Sequence, residues 1–160
     1  MQEKILKLLE ENARLSNRQI AVMLDTTEDT VAAAIAEYEK SGVIKGYQAV
    51  VDWDSSAPGH VTAMIELKVA PRRDSGFDEL AHRVMAYEEV ESVYLMSGGY
   101  DLLVCVRGSS LQDVAMFVAK RLSTLDGVLS TATHFLLTKY KENGFDLTGG
   151  KEKDKRSMIL

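Results

Sequence analysis

The chain has 160 residues, 46% of them hydrophobic, and a formal net charge of -5. That length allows one ordinary domain or two small ones, and that apolar share is enough for real cores. The charge excludes a globally basic nucleic-acid binder, so any attraction to a polyanion has to be local. No apolar run approaches 18 residues and the N-terminus, MQEKILKLLEEN, has no signal-peptide pattern, so a cytoplasmic protein without a membrane span is expected. The single cysteine, Cys105, excludes an internal disulfide framework.

In chain order, Ile5, Leu8 and Leu9 recur at helical spacing and predict a first helix ending near Glu11-Asn12. Ser16 followed by Gln19 is a capping box and opens a second helix carrying Ile20, Ala21, Met23 and Leu24. Asp25-Thr26-Thr27 reads as a tight turn, with Thr27 capping a third helix whose first turn holds Glu28 and Asp29. Val31, Ala34, Ile35 and Tyr38 give that helix its inner face, and Gly42 stops it. Val43-Ile44 is expected to begin a strand, and residues 46–52 to continue as a connecting one. Three helices followed by a strand are the order of a winged helix-turn-helix over residues 1–45, whose third helix would enter a DNA major groove. Residues 46–59 read as connector and linker, with residues 53–59 loop-like and marking the boundary.

From His60 the period changes from helical to alternating. Val61, Ala63, Ile65, Leu67 and Val69 alternate with polar or larger residues, a half-buried strand. Pro71-Arg72-Arg73-Asp74 breaks it, and Ser75 is expected to cap a helix carrying Phe77, Leu80, Ala81 and Val84. Residues 90–97 and 102–107 read as a hairpin around Gly98-Gly99-Tyr100-Asp101. Ser110 with Asp113 caps another helix, and Asp126-Gly127 leads into a last strand over residues 128–137. Residues 60–142 are therefore expected to form an α+β domain of ferredoxin-like βαββαβ order, with helices on one sheet face only. The uncovered face calls for a second copy of the chain. Residues 143–160, with Gly149-Gly150 and a charge cluster, are expected to be a flexible tail.

The sequence resembles the Lrp/AsnC family of leucine-responsive and asparagine regulators. Ile5-Leu6, Leu9, the run Asn12-Ala13-Arg14-Leu15-Ser16 and Ile20-Ala21 carry the likeness in the first module. Val31, Ile35, the run EKSGVIKGY from Glu39 to Tyr47, Ala49 and Asp52 carry it through the connector. In the second module the carriers are Ser97-Gly98-Gly99-Tyr100-Asp101-Leu102-Leu103, at the family's G-x-Y-D turn, then Leu125-Asp126-Gly127-Val128 and Thr131-Ala132-Thr133. The resemblance implies a transcription regulator that responds to small molecules, often amino acids. It implies homodimers formed through the sheet modules, assembling to tetramers or octamers, with the effector between dimers beside that turn.

On this resemblance Met96, Gly98, Gly99, Tyr100, Asp101 and Thr133 are the candidate effector residues. The two glycines would let backbone N–H groups approach a carboxylate, and Asp101 would accept from an ammonium. Spacing alone favours reading the same residues as a plain hairpin turn, with Tyr100 packing at an interface. The candidate DNA contacts are Arg14, Asn17, Arg18 and Lys45 to phosphate, and Thr27, Glu28, Thr30 and Ala33 to base edges. Here the chain departs from the family, which commonly carries arginine just before the position of Ile35, where this chain has Ala32-Ala33-Ala34. Residues 1–45 hold six Lys/Arg against eight Asp/Glu. Two readings follow: DNA binding that is weak per subunit and strengthened by assembly, or an oligomeric small-molecule or protein-binding module that no longer holds DNA.

An enzyme is the third class, since some proteins resembling the family are siroheme decarboxylases. His60, His82 and His134 show no metal-ligand spacing, and no Ser-His-Asp pattern or phosphate loop is present. No catalytic residue, metal or cofactor is therefore expected. Cys105 reads as a small buried apolar residue.

Overall fold

The computed structural model describes residues 2–56, 59–70 and 76–148. They fall into two units, Met1–Val51 and Asp52–Leu160.

The first unit holds α1 (Gln2–Glu11), α2 (Asn17–Met23) and α3 (Glu28–Lys40). Ile5, Leu9, Ile20, Ala21 and Val31 are buried together, and Ala34, Ile35, Tyr38 and Ile44 pack against them. Local chemistry sets the helix starts. Ser16 Oγ accepts from the Gln19 backbone N–H at 3.2 Å, while Gln19 Oε1 accepts from the Ser16 N–H at 2.9 Å. Asp25 takes a left-handed backbone (φ 51°), one of the few non-glycine residues to do so cheaply, and this makes the α2–α3 turn tight. Thr27 Oγ1 accepts from the Thr30 N–H at 3.2 Å and caps α3.

The end of α3 corrects an expectation. Val43-Ile44 does not begin a strand, because Ile44 N–H donates to Tyr38 O (3.0 Å) in the turn that closes the helix through Gly42 (φ 72°). Residues 46–52 also lie in no strand, since no segment of their own chain offers them a ladder among the described residues. Tyr47 instead ties back by donating its hydroxyl to Glu39 Oε1 at 2.8 Å. Desolvation, then the hydrogen bond and charge of Glu39, push the Tyr47 phenol above its ordinary pKa.

The second unit opens with a short helix, α4 (Trp53–Ser56), where the sequence suggested only loop. The Asp52 carboxylate explains it, accepting from the Ser55 N–H at 3.3 Å and capping the turn. The remaining elements are β1 (Val61–Val69), α5 (Asp78–Met85), β2 (Val90–Leu95), β3 (Leu102–Gly108), α6 (Leu111–Phe117) and β4 (Val128–Phe135). A π-helical turn, Val118–Leu122, continues α6. The order β2-β3-β1-β4, antiparallel throughout, is the split βαβ arrangement expected from the alternation. Ser110 caps α6 through the Asp113 N–H at 3.0 Å. The Ser75 cap lies outside the described residues, and α5 begins at Asp78 behind Phe77 with no side-chain cap bond.

One sheet face carries Ala63, Ile65, Leu67, Leu102, Val104 and Val106 into a core closed by Leu80, Val84, Val114, Phe117 and Leu122. Residues on the other face share register: Met64 with Cys105 and His134, Glu66 with Leu103 and Ala132, Tyr94 with Leu103. Among the described residues no long helix covers this face as α5 and α6 cover the first, though Trp53 of α4 lies over Arg107 on it and Cys105 is buried there. His134 Nε2 and Glu66 Oε1 stand 3.2 Å apart across it.

The tail differs from expectation. Lys141–Glu142 and Phe145–Asp146 pair as a hairpin, β5 and β6, across Asn143 (φ 47°) and Gly144 (φ 89°). Both turn residues have the positive φ that a two-residue type I′ turn demands, which is why Asn-Gly favours it. The charge cluster beyond residue 148 lies outside the described residues.

Candidate effector turn and nucleic-acid interface

The helix-turn-helix brings some predicted contacts together and leaves others apart. Thr27, Glu28 and Thr30 sit in the cap and first turn of α3, and Ala33 one turn further, all exposed. The Thr27 and Thr30 hydroxyls bond each other at 2.7 Å. Arg14, in the α1–α2 link, donates its backbone N–H to Asn12 Oδ1 at 3.0 Å, leaving its exposed guanidinium for a phosphate. Arg18 is exposed on the first turn of α2, and Asn17 beside it is half-buried. Lys45 is separate. Its Nζ lies 2.9 Å from where a Cβ on Gly42 would stand, beside the C-terminus of α3. At about 1.5 Å per residue, that is the better part of 20 Å from Thr27.

Helical geometry adds residues that type-by-type reading passed over. Asp29, Ala33, Ala36 and Lys40 follow at intervals of four, three and four, and all four are exposed. They form the outward stripe of α3, opposite the buried Val31.

In the second unit, the Gly98–Asp101 stretch is fastened from inside. Met96 N–H donates to Asp101 O (2.8 Å), and Asp101 N–H donates to Leu67 O (2.9 Å). Asp101 Oδ2 accepts from Val69 N–H at 2.8 Å. That bond lies just past the last β1–β3 pair, Leu67 with Leu102, and satisfies a donor that the β3 ladder no longer reaches. Asp101 therefore has a structural task, and one carboxylate oxygen is engaged by the backbone. Gly98 and Gly99 are exposed, with nothing within 4 Å of an added Cβ. Met96 is 37% exposed and Tyr100 half-buried.

Thr133 does not join them. It pairs with Ile65 on the core side of the sheet, whereas Asp101 lies beyond the Leu102–Leu67 pair on the other flank of β1. Three residues along and two strands across place it roughly 14 Å away.

The histidines are scattered. His60 packs edge-on to Trp53 (centroids 6.3 Å), His82 is exposed on α5, and His134 pairs with Glu66. Among the described residues no three His, Cys, Asp or Glu side chains are grouped to hold a metal ion, and no helix is long and apolar enough to cross a membrane. Cys105 is buried, and burial first, then the Glu91 carboxylate, push its thiol above the ordinary pKa. Arg107 pairs with Glu91 at 2.8 Å and lies over the Trp53 ring, 5.9 Å from its centroid. This anchors α4 to the sheet.

Two family models match the chain: a winged helix-turn-helix DNA-binding model over residues 1–45 and the Lrp/AsnC ligand binding domain over residues 62–144. Among relatives, the uncharacterized HTH-type transcriptional regulator YugG of Bacillus subtilis is 49% identical over 158 residues, 98% of this chain and 94% of its own. The leucine-responsive regulatory protein of Haemophilus influenzae is 26% identical over 143 residues, 89% of this chain and 85% of its own. Escherichia coli AsnC superposes with a TM-score of 0.68 at 20% identity, covering 88% of this chain and 93% of that one. A Neisseria meningitidis transcriptional regulator solved in complex with L-Met gives 0.72 at 24% identity, covering 92% and 95%.

Fold and matches together define a DNA-binding transcriptional regulator with a separate ligand-binding module. The chain belongs to the Lrp/AsnC family.

Proposed function

We propose that this regulator holds duplex DNA through several helix-turn-helix units at once, and that a small effector at the Gly98–Asp101 turn changes how those units are presented. The observation that carries the first half is the charge of the DNA-binding module: six cations against eight anions in residues 1–45. A lone module of that balance has little counterion release to drive binding. Linking modules converts each later contact into an intramolecular one and multiplies weak affinities. The uncovered sheet face, with Tyr94, Leu103, Ala132 and Met64 among its residues, is the surface through which copies would pair.

For the effector, the exposed glycines Gly98 and Gly99 leave room for a carboxylate to come close to the backbone. The carboxylate oxygen of Asp101 not bonded to Val69 suits an ammonium, and Met96 and Tyr100 flank the turn. Within one chain Thr133 stands two strands away in β4, so this reading does not use it. An α-amino acid is the ligand class that presents both charges, and the relative solved with L-Met supports testing that class first. Binding would act through unequal affinity for two assembly states.

Calorimetry against the twenty amino acids, paired with light scattering, tests this half. The expected result is one or a few ligands that bind and shift the mass; indifference to all would remove the sensing role. The acidic α3 favours one other reading, in which the helix-turn-helix docks a protein. Failure to bind duplexes from its own upstream region at low salt would support that reading.

A further inference from the structure

We infer that α3 reads pyrimidines, with Asp29 accepting from a cytosine amine and Ala33 and Thr30 meeting thymine methyl groups, and that Glu28 does not read bases. This rests on the proposed DNA binding and specifies its base chemistry. Asp29 shares the outward stripe with Ala33, four residues on. Glu28 precedes Ala33 by five residues, which at about 100° each turns it some 140° away around the helix, whereas Thr30, three residues before Ala33, stays within about 60° of it. A side chain there faces the flank of a groove-bound helix and its phosphates rather than the base edges.

The stripe's chemistry then limits what it can recognise. Ahead of Lys40 it offers no arginine, lysine, asparagine or glutamine, so it holds no donor fork for guanine O6 and N7 and no amide for adenine. A carboxylate only accepts. Cytosine presents its N4 amine with no acceptor beside it, whereas adenine sets N7 next to its amine and repels a carboxylate. Among the described residues Asp29 has no ion pair or side-chain hydrogen bond in this chain, so its acceptors are available. The Thr27 and Thr30 hydroxyls engage each other at 2.7 Å, which makes the Thr30 methyl, with that of Ala33, the natural partner of a thymine methyl.

The test is selection of full-length protein against a randomised duplex pool at low salt, followed by anisotropy titrations on the selected duplex and its single-base variants. Wild type is expected to enrich cytosine and thymine in each half-site and to lose at least about fivefold in affinity when the cytosine becomes adenine. Asp29→Asn, whose amide fits adenine N6 and N7, is expected to reverse that preference. Glu28→Gln is expected to raise affinity for every sequence alike, by easing phosphate repulsion, with preference unchanged. Uracil in place of thymine, measured with the wild-type protein, is expected to weaken binding several-fold. The inference is overturned if Asp29→Asn leaves the preference intact, if Glu28→Gln switches it instead, or if uracil binds as well as thymine. Salt-dependent binding without base preference would sink the inference and leave the proposed function standing. No binding at low salt would sink both.

Discussion

Asp101→Ala is expected to destabilise the sheet module before it says anything about an effector. The substitution removes the acceptor of the 2.8 Å bond from Val69 N–H, on a residue only 6% exposed. A hydrogen bond to a charged group contributes about 1.5–3 kcal/mol, and leaving a buried donor unpaired costs about 1–3 kcal/mol. These overlap, so about 2–3 kcal/mol is the expected loss. Asp101→Asn keeps an acceptor oxygen and is expected to lose about 1 kcal/mol, the part due to charge. Urea unfolding at fixed protein concentration measures both. Trp53 is the chain's single tryptophan and packs beneath Arg107 within the same unit, so its fluorescence reports that module. If Asp101→Ala unfolds within about 0.5 kcal/mol of wild type, the structural role assigned to this carboxylate is wrong. The consequence for effector work is direct: a lost response in the alanine variant reflects a loosened turn, and the asparagine variant is the informative one.

Three further outcomes follow from the same geometry. Among the described residues the buried Tyr38 hydroxyl has no hydrogen-bond partner, so Tyr38→Phe should stabilise the first unit by about 1 kcal/mol in thermal unfolding, and a loss of that size would refute the packing described. A Cβ on Gly108 would stand 2.8 Å from Val114 Cγ2, so Gly108→Ala should cost about 1–3 kcal/mol as α6 is pushed off β3, and an unchanged midpoint would contradict that contact. The raised pKa of Cys105 leaves less thiolate at pH 8 than a free thiol has, and burial blocks access besides. Its alkylation by iodoacetamide should therefore lag a small-molecule thiol and gain on it as pH rises through 9; equal rates at pH 8 would refute the shift.

What was legible in the sequence was local. Ser16 with Gln19, Thr27 and Ser110 are caps whose partners lie three residues away, and each forms the expected bond. The alternation from Val61 to Val69 fixed the core face of β1, and with it the βαββαβ order. Strand register was not legible. Thr131-Ala132-Thr133 alternates without saying which parity faces the helices, so the separation of Thr133 from the turn within one chain is not readable from spacing. The bond between Asp101 and Val69 spans 32 residues and depends on where the β1–β3 ladder ends, which no spacing rule anticipates. The strand expected from Val43-Ile44 onward is absent for a related reason, because extended sequence makes a strand only beside a partner. Asn143-Gly144 is the opposite case, a local hairpin signal that composition alone reads as tail.

The central claim is that assembly through the open sheet face lets acidic DNA-binding modules hold a duplex. Ala132→Arg tests it most directly, because Ala132 is exposed on that face opposite Glu66, which can pair the new charge within the chain while a facing copy cannot accommodate it. Light scattering and anisotropy on one sample should show a monomer whose affinity for the duplex bound by wild type is at least about tenfold weaker. A wild-type protein already monomeric, or a monomeric variant that binds as tightly as wild type, would contradict the account.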